Sequence, residues 1–360
     1  MTSTKPLLAP RPGVGTPMTD ADDLDLRRLA RWLEANVDGF EGPLEARRFA
    51  GGQSNPTYQL ITPGRRYVLR RKPSGALLKS AHAVDREFRV IDALHRAGFP
   101  TPRAYALCED DGVIGSMFYV MEMVDGRILW DGRMPGFTPA ERSAIYDEQI
   151  RVLAALHSLE PAAIGLSDFG ASGNYFARQV ARWSKQYRAS EGEPIPEMDR
   201  LIAWLPTSLP PERAPRIVHG DFRLDNMVFD AAEPRVLAVL DWELSTLGDP
   251  IADLTYFLMQ WVLPPGERNA LHGLHLEAHG VPSIEQVLAR YAALTGGDGP
   301  RSLDWCFAYN LFRIAAIVQG VAGRFVAGNA SNAAAAQAAG RVPPLARAAW
   351  TFALKAGATA

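Results

Sequence analysis

The stretch IVHGDFRLDNMVFDAAEPRVLAVLD, residues Ile217 to Asp241, decides how this chain is read. Two apolar runs, NMVF and RVLAVL, flank a polar connection that contains a proline, which is the composition of two strands and their turn. Antiparallel pairing brings the start of the first strand and the end of the second to the same end of the hairpin. Asn226 and Asp241 therefore become neighbours, with Asp221 on the loop just before. One amide and two carboxylates converge there. Oxygen donors of this kind suit Mg²⁺, which needs few protein ligands because phosphate oxygens and waters complete its octahedron. The same charges on an unpaired loop would be ordinary solvated surface, and both readings stand at this point.

The rest of the chain sets limits. At 360 residues, two lobes are expected rather than one core. A composition of 47% hydrophobic and 22% charged residues, with net charge −2, describes an ordinary globular protein. The 38 Lys and Arg residues are scattered among 40 Asp and Glu with no basic stripe, so no nucleic-acid partner is expected. Cys108 and Cys306 stand far apart without ligand spacing, so neither a disulfide framework nor a zinc site is indicated. The N-terminus lacks a basic segment followed by an apolar run, and no apolar stretch approaches membrane-spanning length. The expectation is a cytoplasmic protein with no membrane partner and a loose arm over residues 1–19.

Residues 20–125 read as a first lobe. Leu26, Leu29, Trp32 and Leu33 lie at helical spacing, with acids in the first turn where the helix dipole favours them. EARRFAG, PTYQLIT and RRYVLRRKP, separated by GQSN and PG, read as an antiparallel meander. A helix capped by Ser80 carries Val84, Phe88, Ile91 and Leu94 on one face, and GVIGSMFYVMEMVDG follows as a further strand region. Residues 126–360 read as a second, mainly helical lobe. Ile145, Gln149, Leu153 and Leu156 mark one helix; Phe176, Val180, Trp183 and Tyr187 mark another. Tail helices are expected near residues 303–325 and 343–356, with the Ala-rich NASNAAAAQAAG between them as a loop or short helix.

HGDxxxxN followed fifteen residues later by an aspartate at a strand end resembles the catalytic core of the aminoglycoside phosphotransferase family, relatives of protein kinases. The resemblance implies an α+β, two-lobed, protein-kinase-like fold: an N-terminal antiparallel sheet with one main helix, and a larger helical lobe bearing the catalytic loop and substrate pocket. It implies that Asp221 orients or deprotonates an acceptor hydroxyl while Asn226 and Asp241 hold Mg²⁺ on the phosphates of ATP in the cleft. His219 either acts in catalysis or props the loop. Arg223 either stabilises charge on the moving phosphoryl group or lies on the surface. Asp253, in GDPIADLTYF, resembles the helix-borne acid that ties down the catalytic loop, with Asp249 a second candidate.

Nucleotide binding falls to the first lobe. GGQSN, with Gly52, Ser54 and Asn55, is either a plain turn or a cradle whose amides approach phosphate oxygens. Strand alternation puts Val68, Arg70 and Lys72 on one face and Tyr67, Leu69 and Arg71 on the other. Arg70 matches the position of the kinase strand lysine. An arginine there keeps the charge but forks onto two oxygens. Its expected partner is Glu87, at the edge of the inward helix face; the alternative is an ordinary surface ion pair. FYVMEMVDG resembles the strand that runs into the hinge and offers backbone to adenine, around Glu122 and Met123.

Only eleven residues separate Asp241 from Asp253, and Gly220 replaces the arginine that receives an activating phosphate in protein kinases. That points to a small-molecule hydroxyl substrate rather than a peptide. The aromatic stripe of YFARQVARWSKQYRAS either walls that pocket or packs in the core. LRRKPSGALLKSAHAVDREFRV, RQVARWSKQY and HGDFRLDNMVF are closer to the phosphotransferase domains fused to acyl-CoA dehydrogenases, which implies a hydroxy acid or hydroxyacyl thioester as acceptor. The chain has no room for a dehydrogenase domain beside the two lobes. Two other functions fit the same residues: a pseudokinase that binds nucleotide without turnover, and a metal-dependent phosphohydrolase using His219 and the aspartates, which needs more histidine ligands than the loop offers.

Overall fold

A computed structural model of the chain describes residues 24–49, 55–73, 83–171, 173–324 and 332–359. The chain divides into two compact units, Met1–Asp125 and Gly126–Ala360.

The first unit is built on a five-stranded antiparallel sheet. Its strands are β1 (Glu45–Arg48), β2 (Thr57–Ile61), β3 (Arg66–Arg71), β4 (Ala104–Cys108) and β5 (Phe118–Glu122), in spatial order β1-β2-β3-β5-β4. Alternation gives the sheet two faces. Tyr58, Leu60, Tyr67, Leu69, Phe118 and Val120 form one face and share a core with Leu29 and Leu33 of helix α1 (Leu26–Asn36). Each of these buried apolar side chains contributes about 1.5–3 kcal/mol. Val68, Arg70, Tyr119 and Met121 take the other face, where helix α2 (Val84–Arg96) brings the Phe88 ring to 6.2 Å from that of Tyr119.

Local details differ from the expectations. The first turn of α1 holds no acid; Asp25 instead serves as N-cap, its Oδ1 accepting from the Arg28 amide at 3.0 Å. The residues of the expected arm, and Ser80, lie outside the described residues, and Ala83 at the head of α2 makes no side-chain cap bond.

In the second unit helices predominate: α3 (Pro139–Ser158), α4 (Tyr175–Ala189), α5 (Pro196–Trp204), α6 (Pro250–Phe257), α7 (Ile284–Thr295), α8 (Leu303–Arg324) and α9 (Asn332–Lys355). Thr138 opens α3 through a capping box with Glu141. Two small antiparallel ladders lie among these helices. One pairs β6 (Arg216–Val218) with β9 (Thr246–Gly248), the other β7 (Met227–Phe229) with β8 (Val236–Val239).

Two tail expectations are corrected. The window Leu303–Gly323 is long and apolar enough to cross a bilayer, so one apolar stretch does reach that length; 72% of it is buried inside the protein, as in a core helix. The last helix begins at Asn332 rather than near 343 and runs through Pro343 and Pro344. Proline disrupts a helix interior, but Val342, Leu345, Ala346, Ala349 and Ala353 are all buried on the side facing the core, and that packing outweighs the lost backbone bonds.

Candidate active site

The site of the second unit grows from the β7–β8 hairpin. Met227 pairs with Val239 and Val228 with Ala238, and the Leu240 amide donates to Asn226 O at 2.8 Å. Asn226 ends a 3-10 turn, Leu224–Asn226, directly before β7; Asp241 follows Leu240 after β8. The two residues thus flank one end of the hairpin. Asp241 adopts the left-handed conformation, φ 68° and ψ 59°, which aspartate tolerates at modest cost. The bend it makes ends the strand and starts the turn Trp242–Leu244.

Asp221 stands on the loop between β6 and this hairpin and is heavily engaged. Its Oδ2 accepts from Asn226 Nδ2 at 2.9 Å and from Arg223 Nε at 3.1 Å. Its Oδ1 accepts from the Tyr256 hydroxyl at 2.5 Å. Asn226 Nδ2 also donates to the Asp221 carbonyl at 2.9 Å, which commits the amide nitrogen and makes Asn226 Oδ1 the atom of this side chain that could face a cation. An amide oxygen from Asn226 and a carboxylate from Asp241 are hard oxygen donors of the kind that fits Mg²⁺. Among the described residues, no three His, Cys, Asp or Glu side chains are grouped to hold a metal on their own.

Arg223 is placed beside Asp221 rather than free on the surface, and its Nη1 lies 3.4 Å from Asp225 Oδ2. Burial works against its charge, but Asp221, then Tyr256 and Asp225, outweigh that and raise its pKa. Arg268 reaches the same Asp225 carboxylate at 3.0 Å. The Tyr256 phenol is raised above its ordinary value by burial and then by the Asp221 charge, so it remains a protonated donor.

Behind the loop, Asp253 of α6 is 1% exposed and accepts from two consecutive amides, His219 N at 2.5 Å and Gly220 N at 2.8 Å. Burial alone would raise its carboxyl; the hydrogen bond and charge of His157, with His219 and the Gly220 amide, bring it below the usual value. His157 Nε2 is 3.5 Å from Asp253 Oδ2, and its Nδ1 is 2.7 Å from the Tyr291 hydroxyl. Asp249 plays a different part and caps α6 through the Ile251 amide at 2.9 Å. His219 is fully buried, its Nε2 2.9 Å from Leu240 O and its Nδ1 accepting from the Asp221 amide at 3.1 Å. Those contacts tie the loop to the hairpin and describe a prop.

Gly220 carries φ +85°, and a Cβ built there would lie 2.8 Å from the Leu244 carbonyl oxygen. A side chain at this position, such as the arginine of protein kinases, has neither the backbone conformation nor the space it needs.

In the first unit, Arg70 Nε and Glu87 Oε2 form an ion pair at 3.0 Å, with side chains 13% and 2% exposed. It is therefore a buried pair, unlike an exposed one whose worth is close to nil. Asn55 is buried and its carbonyl accepts from Thr57 Oγ1 at 3.0 Å. Gly52 and Ser54 lie outside the described residues. Glu122 closes β5, with its amide donating to Arg103 O at 2.8 Å and its Oε2 accepting from the Arg103 amide at 3.2 Å; Met123 follows directly.

Two participants have no part in the sequence motif. Tyr256 lies three residues after Asp253 on α6, so one helix face delivers both the brace and the phenol, and that spacing is the signal in the sequence that points to it. Arg313 sits in the apolar stretch of α8, is 4% exposed, and its Nη2 donates to the Gly220 carbonyl. An arginine in the middle of so apolar a helix is the available signal.

Comparison with known proteins agrees with this geometry. A profile of the Phosphotransferase enzyme family matches residues 45–306, and the chain belongs to that family. Its architecture is a kinase-like fold, a five-stranded antiparallel sheet in the first unit and a mostly helical C-terminal region. The chain is 46% identical over 319 residues to acyl-CoA dehydrogenase family member 10 of Mus musculus, covering 88% of this chain and 30% of that protein. It thus spans less than half the length of the curated relatives it matches. A crystal structure from Ralstonia eutropha JMP134, provisionally named an aminoglycoside phosphotransferase, is 49% identical with TM-score 0.84, covering 92% of this chain and 98% of that one. A ternary complex of a thermostable mutant of aminoglycoside phosphotransferase APH(4)-Ia with ADP and hygromycin B shares the fold, with TM-score 0.56 at 15% identity over 88% of this chain and 97% of that one.

Proposed function

We propose that the protein is an ATP-dependent kinase that transfers the γ-phosphoryl group to the hydroxyl of a small molecule, with hydroxy acids or hydroxyacyl thioesters as the acceptor class. The observation that carries this reading is the engagement of Asp221. Both carboxylate oxygens are fixed, by Tyr256 on one side and by Asn226 and Arg223 on the other, and the backbone around them is clamped by Asp253. A carboxylate held this firmly suits the positioning of a nucleophile, which is most of what phosphoryl transfer asks of a protein.

In the proposed reaction, the acceptor hydroxyl donates to Asp221 and its oxygen attacks the γ-phosphorus in line. The O–P bond forms as the bond to the β,γ-bridging oxygen breaks; the proton passes to Asp221 and ADP departs. Asn226 Oδ1 and the Asp241 carboxylate would hold Mg²⁺, which when bound would supply charge neutralisation on the phosphates. Arg223 offers its guanidinium to the transferring group, and Arg70, fixed by Glu87, serves as the phosphate-binding cation of the first unit. The ADP bound to APH(4)-Ia supports nucleotide use, and the naming of the longer relatives as acyl-CoA dehydrogenase family members supports the acceptor class.

The test is a ³¹P NMR screen of purified protein with ATP and Mg²⁺ against hydroxy acids, hydroxyacyl thioesters, choline-like alcohols and aminoglycosides. A new phosphomonoester resonance that appears together with ADP is expected for an acyl acceptor. Nucleotide binding without product would mark a pseudokinase instead, and metal-dependent cleavage of phosphoesters without ATP a hydrolase.

A further inference from the structure

Arg313 has a neighbour whose presence the brace does not explain. Two guanidinium groups lie near the Trp183 ring of α4: Arg313 Cζ is 5.6 Å and Arg182 Cζ 5.0 Å from its centroid. One cation on an indole face adds cohesion, while a second brought to the same ring adds repulsion between the two. Among the described residues, neither arginine forms a salt bridge with a carboxylate, and Arg313 Nε is a buried donor without a hydrogen-bond partner. A buried charged donor left in that state is costly unless something completes it.

The surroundings show what could. Arg313 Cζ also lies 5.1 Å from the Tyr256 ring centroid, and Tyr256 is the residue bonded to Asp221. The phenols of Tyr175 and Tyr309 sit within electrostatic reach of both arginines, and burial keeps both protonated, so they too offer donors. Arg182 is the exposed member of the cluster, beside the buried Trp183, Tyr175, Tyr309 and Arg313.

We propose that Arg182 and Arg313 form a receptor for an anionic oxygen group, a carboxylate or a phosphate, carried by the acceptor whose hydroxyl Asp221 positions. This rests on the phosphotransferase reading given above. An oxyanion placed here accepts from the forked N–H groups of both arginines and removes the repulsion between them. Because Arg313 also holds Gly220 and packs on Tyr256, the same contacts set the distance from the bound anion to the base. Arg182 is then a specificity-determining residue rather than a catalytic one.

The experiment measures kcat/KM for three forms of one medium-chain hydroxy acid: the free carboxylate, its methyl ester and its coenzyme A thioester. Preference for the carboxylate over the ester identifies a carboxylate as the bound group; preference for the thioester over the ester identifies the phosphates of the carrier. We expect the wild-type protein to prefer one anionic form over the ester by about tenfold or more. Arg182→Gln should bring that ratio near unity, mainly through KM, and Arg182→Lys should restore part of it. Retention of the wild-type ratio by Arg182→Gln overturns the receptor, as does a wild-type protein with no preference. Absence of transfer to every acceptor overturns the phosphotransferase reading and this proposal with it, whereas transfer with an unchanged ratio overturns the proposal alone.

Discussion

Tyr256 donates its hydroxyl hydrogen to Asp221 Oδ1 at 2.5 Å, so a phenol from α6 occupies one side of the carboxylate that the kinase reading makes the base. Removing it with Tyr256→Phe deletes one charged hydrogen bond while leaving the ring. About 1.4 kcal/mol of positioning, or a tenfold fall in kcat, is expected, with the nucleotide Kd changed less than twofold. Steady-state kinetics together with nucleotide titration calorimetry separates the two effects; an undiminished kcat would remove Tyr256 from the site.

Asp253 makes stability depend on pH. Its folded carboxyl titrates below the ordinary value, while the unfolded one titrates near 3.9. A depressed folded pKa stabilises above the unfolded pKa and loses that contribution as pH falls through the folded value. Urea unfolding followed from pH 6 down to pH 3 should therefore show a steeper loss for the wild type than for Asp253→Asn. Parallel curves would mean that the carboxylate is not held as described. Asp253→Ala, which orphans two buried amides, should cost roughly 3 kcal/mol at neutral pH.

Arg70 and Glu87 form a buried pair in which the carboxylate is the less exposed partner. Removing the cation with Arg70→Ala strips the nearly buried Glu87 of this charge and should destabilise the first unit by about 3 kcal/mol or more. The double variant Arg70→Ala/Glu87→Gln should recover part of that loss. Chemical denaturation checks both, and a neutral effect of the single change would show the pair to be ornamental.

At Gly220 the demand is on the backbone. Gly220→Ala places a methyl group 2.8 Å from Leu244 O at φ +85°. The strain and clash together predict a loss of about 1–3 kcal/mol. A thermal unfolding midpoint equal to that of the wild type would contradict it.

The parts of this structure that the sequence reveals are those written in local patterns. The hairpin around Asp230–Arg235 follows from two short apolar runs and a polar turn, and the meeting of Arg70 with Glu87 follows from strand and helix periodicity. Distant packing sets the remainder. Strand β4, AYALC, has a half-buried run without clear alternation, and no local pattern announces it. Arg313 contacts Gly220 across 93 positions of chain, and in its own helix it interrupts a pattern that otherwise reads as core. The left-handed bend at Asp241 has no glycine to mark it. In α9, packing against the core overrides two prolines that end a helix in any local reading.

In the proposed reaction Asp221 holds the acceptor hydroxyl while Asn226 and Asp241 hold the metal. Single-turnover transfer of the labelled γ-phosphoryl group from ATP, measured side by side for the wild type, Asp221→Asn and Asp241→Asn, tests it most directly. Asp221→Asn should lose about 10²- to 10⁴-fold in transfer rate while keeping Mg²⁺-dependent nucleotide binding, and Asp241→Asn should lose both. Transfer by Asp221→Asn at the wild-type rate would contradict the assignment.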